Sequence, residues 1–339
     1  MRLNDDVAEN RRLTRWADLL PRAPGQRGGV HETDAELVPL GDGRLLALTV
    51  DTVCEEIRLG LYRDARTAGR LAAAAALSDL AAVGAEPIGL LLSVTLPREG
   101  ADAAQEGVAR GVSDATSAAG TFVLGGDTNE GDLLSVGCTG AGTVPCGSEL
   151  RRVGISPGDL LFAAGPLGLG AAVAASTLLA GGSLLPESAL APPPRIAHGV
   201  ALRGVASAAM DTSDGLVATL DQLARLNGVA LHVARPPEEL LEPRALDVAR
   251  RLALPPLALL AAAQGEQELV FAVPPRNLPA LEEAAARLAW TLLPIGRAEA
   301  GSGLFVNGAP FDGARCRNLL ASAAGDLAAY AAALAAMTR

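Results

Sequence analysis

Aspartates set inside apolar stretches limit the folds open to this chain more than any other feature. Residues 48–53, LTVDTV, place Asp51 within a strand-like run, and residues 77–84, LSDLAAVG, place Asp79 within a helical one. Residues 123–131, VLGGDTNEG, end an apolar run in Gly125 and Gly126 and are expected to deliver Asp127 and Thr128 at a strand's exit. Backbone can approach a ligand closely there, and a carboxylate can face it. Residues 208–216, AAMDTSDGL, supply Asp211 and Asp214, which share a helical face if a turn begins there. Uncompensated carboxylates are costly in apolar surroundings, so the repeated pattern points to carboxylates gathered about a cation. Mg2+ is the usual hard cation for oxygen ligands.

Composition removes several other sources of chemistry. All 28 basic residues are arginine, which excludes a P-loop lysine, a kinase strand lysine and a pyridoxal-phosphate Schiff base. The net charge of -10, without a basic run, gives no nucleic-acid partner, although a polyphosphate can still bind through metal ions. The 4 cysteines form no C-x-x-C pair and the 3 histidines are dispersed, so no zinc site is expected. The long uncharged stretch at residues 160–186 is interrupted by glycine and proline and reads as a buried loop and helix, not a membrane span. No charged start followed by an apolar core is seen, and a cytoplasmic protein with reduced cysteines is expected.

The chain of 339 residues reads as two mixed units, an α/β (α+β) pattern with a boundary near Leu150. Residues 1–150 are expected to form one domain and residues 151–339 a second. In the first, a helix over residues 5–20 ends at Pro21, and a hairpin turns at Asp42-Gly43 between strands at 37–39 and 45–50. A helix at 66–82 carries Asp79, a strand at 87–96 stops at Pro97, a helix at 101–119 is capped by Gly120, and a strand follows at 133–144. In the second, a turn at Ser156-Pro157-Gly158-Asp159 leads into a strand at 160–164. The glycines of residues 165–170 then open a helix at 171–179, and close packing explains them better than phosphate contact. Further helices are expected at 195–207, 216–225 and 279–290, two short ones within 237–260, and one terminal helix at 321–337.

Together these segments resemble the thiamine-monophosphate kinase family. The resemblance rests on Val50-Asp51-Thr52, residues 77–85, Gly125-Gly126-Asp127-Thr128, Gly154-x-x-Pro157-Gly158-Asp159, Pro194-Arg195 and Asp211-x-Ser213-Asp214-Gly215-Leu216, in that order. The wider ATP-binding superfamily includes aminoimidazole ribonucleotide synthetase, selenophosphate synthetase and the hydrogenase maturation dehydratase. The resemblance implies a two-domain fold of the aminoimidazole ribonucleotide synthetase type. Its amino-terminal domain forms a homodimer through a mixed sheet, and an α/β carboxy-terminal domain closes the cleft. ATP and Mg2+ are implied in that cleft, with in-line phosphoryl transfer to a small-molecule phosphate, thiamine monophosphate. On this reading Asp34, Asp51, Asp79, Asp127, Asp211 and Asp214 are metal ligands, and Asp127 and Asp214 act at the reaction centre. Asp51, Thr52, Gly126, Asp127, Ser213 and Arg195 would hold the nucleotide. Arg195 is preferred to Arg58, Arg151 and Arg152 as the phosphate-gripping cation because it matches the family's Pro-Arg pair.

The sequence departs from the family pattern at defined places. Glu32 and Thr33 replace the first two residues of a glycine-aspartate-aspartate motif, leaving Asp34. Glu56 and Arg58 stand for a glycine and a histidine, Ala76 for an asparagine, Leu169 for an aspartate and Thr219 for an acidic residue. Residues 264–269, QGEQEL, shorten a Gly-Gly-Glu-Asp-Tyr-Glu-Leu segment and lack its tyrosine. Three functions therefore stay open: a kinase of thiamine monophosphate, an ATP-using enzyme with a different acceptor, and a catalytically weakened dimer that binds nucleotide or a partner.

Overall fold

The computed structural model of the protein describes residues 6–323 and 325–339. The expected start of the first helix at Asp5 lies outside them. The first half comprises α1 (Ala8–Leu19), β1 (Glu36–Pro39), β2 (Arg44–Val53), α2 (Glu55–Arg58), α3 (Ala65–Ala82), β3 (Glu86–Pro97), α4 (Ala101–Ala119), β4 (Val123–Gly131) and β5 (Ser135–Pro145). The second half begins with β6 (Leu160–Ala163), α5 (Leu169–Ala180), α6 (Ile196–Leu202), β7 (Ala208–Asp211), α7 (Leu216–Asn227) and β8 (Ala230–Val233). It continues with α8 (Pro237–Leu240), α9 (Pro243–Arg251), α10 (Pro256–Ala261), β9 (Leu269–Val273) and α11 (Leu278–Arg287). It ends with β10 (Leu293–Glu299), β11 (Gly303–Val306), β12 (Ala309–Phe311), α12 (Gly313–Ser322) and α13 (Leu327–Met337).

Each half builds one mixed sheet. The first has strand order β1-β2-β5-β3-β4, and the second β12-β11-β8-β10-β6-β9-β7. In the first sheet β3 and β4 run parallel because α4 carries the chain back between them; the other pairs are antiparallel. Helix α3 lies on the inner face of this sheet, where Gly140 and Gly142 of β5 leave it room: an added Cβ on Gly140 would sit 3.1 Å from the Ala76 carbonyl oxygen. Alanine-rich α3 is buried on nearly every side because α4 packs on it as closely, and a Cβ on Gly111 would come within 1.9 Å of the Arg66 carbonyl oxygen. Asp64 starts α3 by accepting hydrogen bonds from the Arg66 and Thr67 amides.

Several elements differ from the sequence expectation. Strand β4 continues through the glycines to Gly131, so Asp127 lies within the strand and not at its exit; pairing with β3 supplies the order that the glycines do not. Asp211 ends β7 and Asp214 precedes the first residue of α7, so no helical face joins them. The helix expected at 195–207 stops at Leu202, residues 237–261 hold three short helices, and α12 and α13 replace one terminal helix. The uncharged stretch at 160–186 holds β6 and α5, and no described helix is long and apolar enough to cross a membrane. Helix α1 docks on the second half: Asn10 donates to Gln222 at 2.8 Å, and Arg225 pairs with Asp6 at 2.7 Å.

Candidate active site

Three elements bring carboxylates together at the seam between the sheets. Asp79 projects from α3, Asp211 from the end of β7, and Asp34 from the segment before β1; one oxygen of each lies within 4.8 Å of the others. Asp51, on the inner face of β2, lies close enough for its charge to act on Asp79 and Asp211. Thr49 donates to Asp79, and the Ser78 hydroxyl to Asp211 at 2.8 Å. Arg152 closes one side, its guanidinium 2.8 Å from Asp34, and Arg151 binds Glu32.

So many acids in one buried place resist ionisation. Burial, then Asp51, Asp211 and Asp34, raise Asp79 well above the usual carboxylate range. Burial and the Asp34 charge push Asp211 up to about 7, and burial and Glu9 push Asp214 up to about 6. Burial also raises Asp51. Burial works against the Arg152 charge, but Asp34, Asp79 and Asp211 more than offset it and raise its pKa. Asp34 Oδ2 and Asp51 Oδ2 are buried without a hydrogen-bond partner. Unpartnered oxygens within a crowded acidic group fit a hard divalent cation, which would supply both the missing partner and the missing charge.

Other predicted residues lie elsewhere. Asp51, Cys138 and Leu92 are in register on the inner face of the first sheet, where Cys138 is buried. Asp127 is in register with Ser93, Gly137 and Thr52, one residue along, so Asp127 and Thr52 face out on the opposite side. Asp127 is exposed there and accepts a hydrogen bond from Asn129 at 3.0 Å. Gly126 is required by packing, since a Cβ would lie 2.4 Å from the Leu92 carbonyl oxygen. Ser213 lies between Asp211 and Asp214, and its carbonyl accepts from the Gly265 amide at 2.9 Å. Arg195 does not join the carboxylates: Glu268 holds it at both ends, at 2.6 and 2.7 Å. The cation beside the acids is Arg152, the more weakly favoured candidate in the sequence.

The glycine-rich segments serve packing near this site. A Cβ on Gly265 would lie 1.5 Å from the Thr212 carbonyl oxygen, so residues 264–268 can lie against the end of β7 only with glycine there. That contact seats Glu266, which sequence reasoning missed. Its two oxygens accept from the Gly168 amide at 2.6 Å and the Thr212 hydroxyl at 3.0 Å. Burial, with Glu268 nearby, pushes Glu266 up to about 8. Thr219, standing where an acid was expected, donates to the Asp211 carbonyl oxygen at 2.8 Å and ties α7 to β7.

Residues 32–144 match the family model described as AIR synthase related protein, N-terminal domain, and residues 156–308 match its C-terminal domain. Fold and site thus define an AIR synthase related protein. The chain is 33% identical over 283 residues to thiamine-monophosphate kinase of Salmonella typhimurium, covering 79% of this chain and 83% of that one. It belongs to the thiamine-monophosphate kinase family. The crystal structure of thiamine-monophosphate kinase from Stenotrophomonas maltophilia K279a is 30% identical, with TM-score 0.68 over 89% of this chain and 95% of that one. AaThiL complexed with AMPPCP and TMP shares the fold at TM-score 0.75 and 23% identity, over 92% of this chain and 97% of that one.

Proposed function

We propose that this protein is a cytoplasmic homodimer that transfers the terminal phosphoryl group of ATP to thiamine monophosphate in a Mg2+-dependent reaction. An acceptor phosphate oxygen forms the new P–O bond, the bond between the β- and γ-phosphates breaks, and ADP and thiamine diphosphate leave. The observation that carries this reading is the group Asp34, Asp79 and Asp211 with the unpartnered oxygens of Asp34 and Asp51.

Asp34, Asp51, Asp79, Asp211 and Asp214 would hold Mg2+, which when bound would neutralise phosphate oxygens. Arg152, fixed by Asp34 beside the carboxylates, is placed to bind a phosphate oxygen with the rest of its fork. Ser78 and Thr49 keep two acids oriented through their hydroxyls. The domains divide this work, residues 1–150 presenting most of the acids and residues 151–339 closing over them.

The open face of the first sheet supports the homodimer. Val50 is 69% exposed, and Leu91, Phe122 and Leu124 share the apolar surface that a second copy would cover. Asp127 and Thr52 belong to that same face, so we assign them to a site completed across the dimer. Calorimetric titration with AMPPCP, with and without Mg2+ and then with thiamine monophosphate, tests the reading. Metal-dependent binding of both ligands is expected, and Asp127→Asn should weaken nucleotide binding about tenfold or more. Nucleotide binding that ignores Mg2+, or a folded Asp127→Asn protein with unchanged affinity, contradicts it.

A further inference from the structure

Among the described residues, three carboxylate oxygens are buried with no hydrogen-bond partner: Asp34 Oδ2, Asp51 Oδ2 and Glu56 Oε2. The first two belong to the proposed metal site. Glu56 has no part in it so far. It stands in the first turn of α2, where the chain has left β2 at Val53. Glu55 beside it is instead 62% exposed and pairs with Arg58 at 3.3 Å.

The three oxygens share one neighbourhood. The Asp34 side chain is 1% exposed, its Oδ1 is held by Arg152 at 2.8 Å, and its charge acts on Asp51. The Asp51 charge acts in turn on Glu56. Burial chiefly, with Glu55 and Asp51, raises Glu56 above its ordinary value, against the pull of the Glu56 and Cys54 amides. Glu266 shows how this chain satisfies a buried acid internally, with a donor for each oxygen. Glu56 lacks that provision, and a carboxylate left in this state is costly until something supplies the missing partner.

We propose that Glu56 is a further ligand to a divalent cation, which it shares with Asp51 beyond the end of β2. The inference rests on the metal reading of the aspartates above and adds an acid from outside the motifs that carry the family resemblance. The family pattern has a glycine at position 56, which offers no oxygen, so this ligand is the chain's own. That pattern also has an acid where Thr33 stands, so one carboxylate is missing ahead of Asp34 and one is added after Asp51. Affinity for a hard cation rises with the number of charged ligands, so Glu56 offsets part of what Thr33 withholds.

Titration of the full chain with Mn2+ in the absence of nucleotide, with the free ion counted by electron paramagnetic resonance, tests the assignment. Glu56→Gln should weaken Mn2+ binding about tenfold or more, at least what losing an outer partner of a metal ligand costs. Without metal it should melt at or above the wild-type temperature, because the amide has no charge to bury, and this separates lost ligation from lost structure. Glu55→Gln, an equal loss of charge on the exposed neighbour, should bind Mn2+ as the wild type does. A folded Glu56→Gln protein with wild-type affinity, or an equal weakening by Glu55→Gln, overturns ligation by Glu56 and leaves the aspartate site standing. A wild-type chain that binds no Mn2+ overturns both.

Discussion

The two sheets close themselves to different degrees. In the second sheet β7 and β9 are buried at every position. In the first, one face packs on α3 while the other shows Val50, Leu91 and Leu124 to solvent. Buried acids divide the same way. Glu266, within the second half, has a partner for each oxygen, whereas Asp34 and Asp51 in the first half each keep one buried oxygen with none. The first half thus keeps an open sheet face and, at the seam, carboxylate oxygens left over for other molecules. Buried unpaired polar groups are costly, so such leftovers mark where binding is worth most.

The same charge placed in each sheet should break the comparison most sharply. Phe271 is 0% exposed, and Phe271→Glu buries an unpaired carboxylate at a cost of about 5 kcal/mol or more, so little folded protein is expected by circular dichroism. Leu91→Glu puts its charge on the open face and should leave the fold intact while light scattering shows the mass halved. A wild-type chain that is already monomeric, or a Leu91→Glu chain that stays dimeric, removes the dimer from the open face.

A smaller effect, opposite for stability and binding, is expected at the seam. Asp79→Asn removes one of the mutually repelling acids, so without metal the protein should become more stable by about 1 kcal/mol at neutral pH. Mg2+-dependent protection of the variant against heat should shrink or vanish. Equal protection of wild type and variant by Mg2+ separates Asp79 from metal binding.

The smallest effect belongs to Glu266 in the second half, whose two oxygens both have partners. Glu266 titrates at about 8 when folded, above its ordinary value of 4.5, so the folded state favours its protonated form. That contribution is complete below the ordinary value and is lost as pH rises toward 8. Glu266→Gln stays neutral throughout, so its melting temperature should gain on the wild type steadily from pH 5 to about pH 8. Parallel melting curves across that range contradict a buried neutral acid.

Much of the fold was legible because its signals are local. The helix expected at 101–119 matches α4, and that at 66–82 falls one residue short of α3, since alanine periodicity and the Gly120 cap lie in neighbouring residues. Strand β4 was only half legible: Gly125 and Gly126 read as a stop, and its continuation depends on β3, more than 30 residues earlier. Within the site, the acids were readable one by one, because each interrupts an apolar run. Their grouping was not. Arg195 looked free because its partner Glu268 is 73 residues away, and nothing near Arg152 in sequence announces Asp34. The docking of α1 was equally hidden, since it is made by polar contacts such as Asn10 to Gln222, across 212 residues.

The most direct test of phosphoryl transfer by this chain is a product assay with ATP, Mg2+ and thiamine monophosphate, resolving nucleotides and thiamine phosphates by chromatography. Thiamine diphosphate and ADP should appear in equal amounts, and both should disappear when Mg2+ is chelated. ADP without thiamine diphosphate, or neither product from folded dimeric protein, would contradict transfer to thiamine monophosphate.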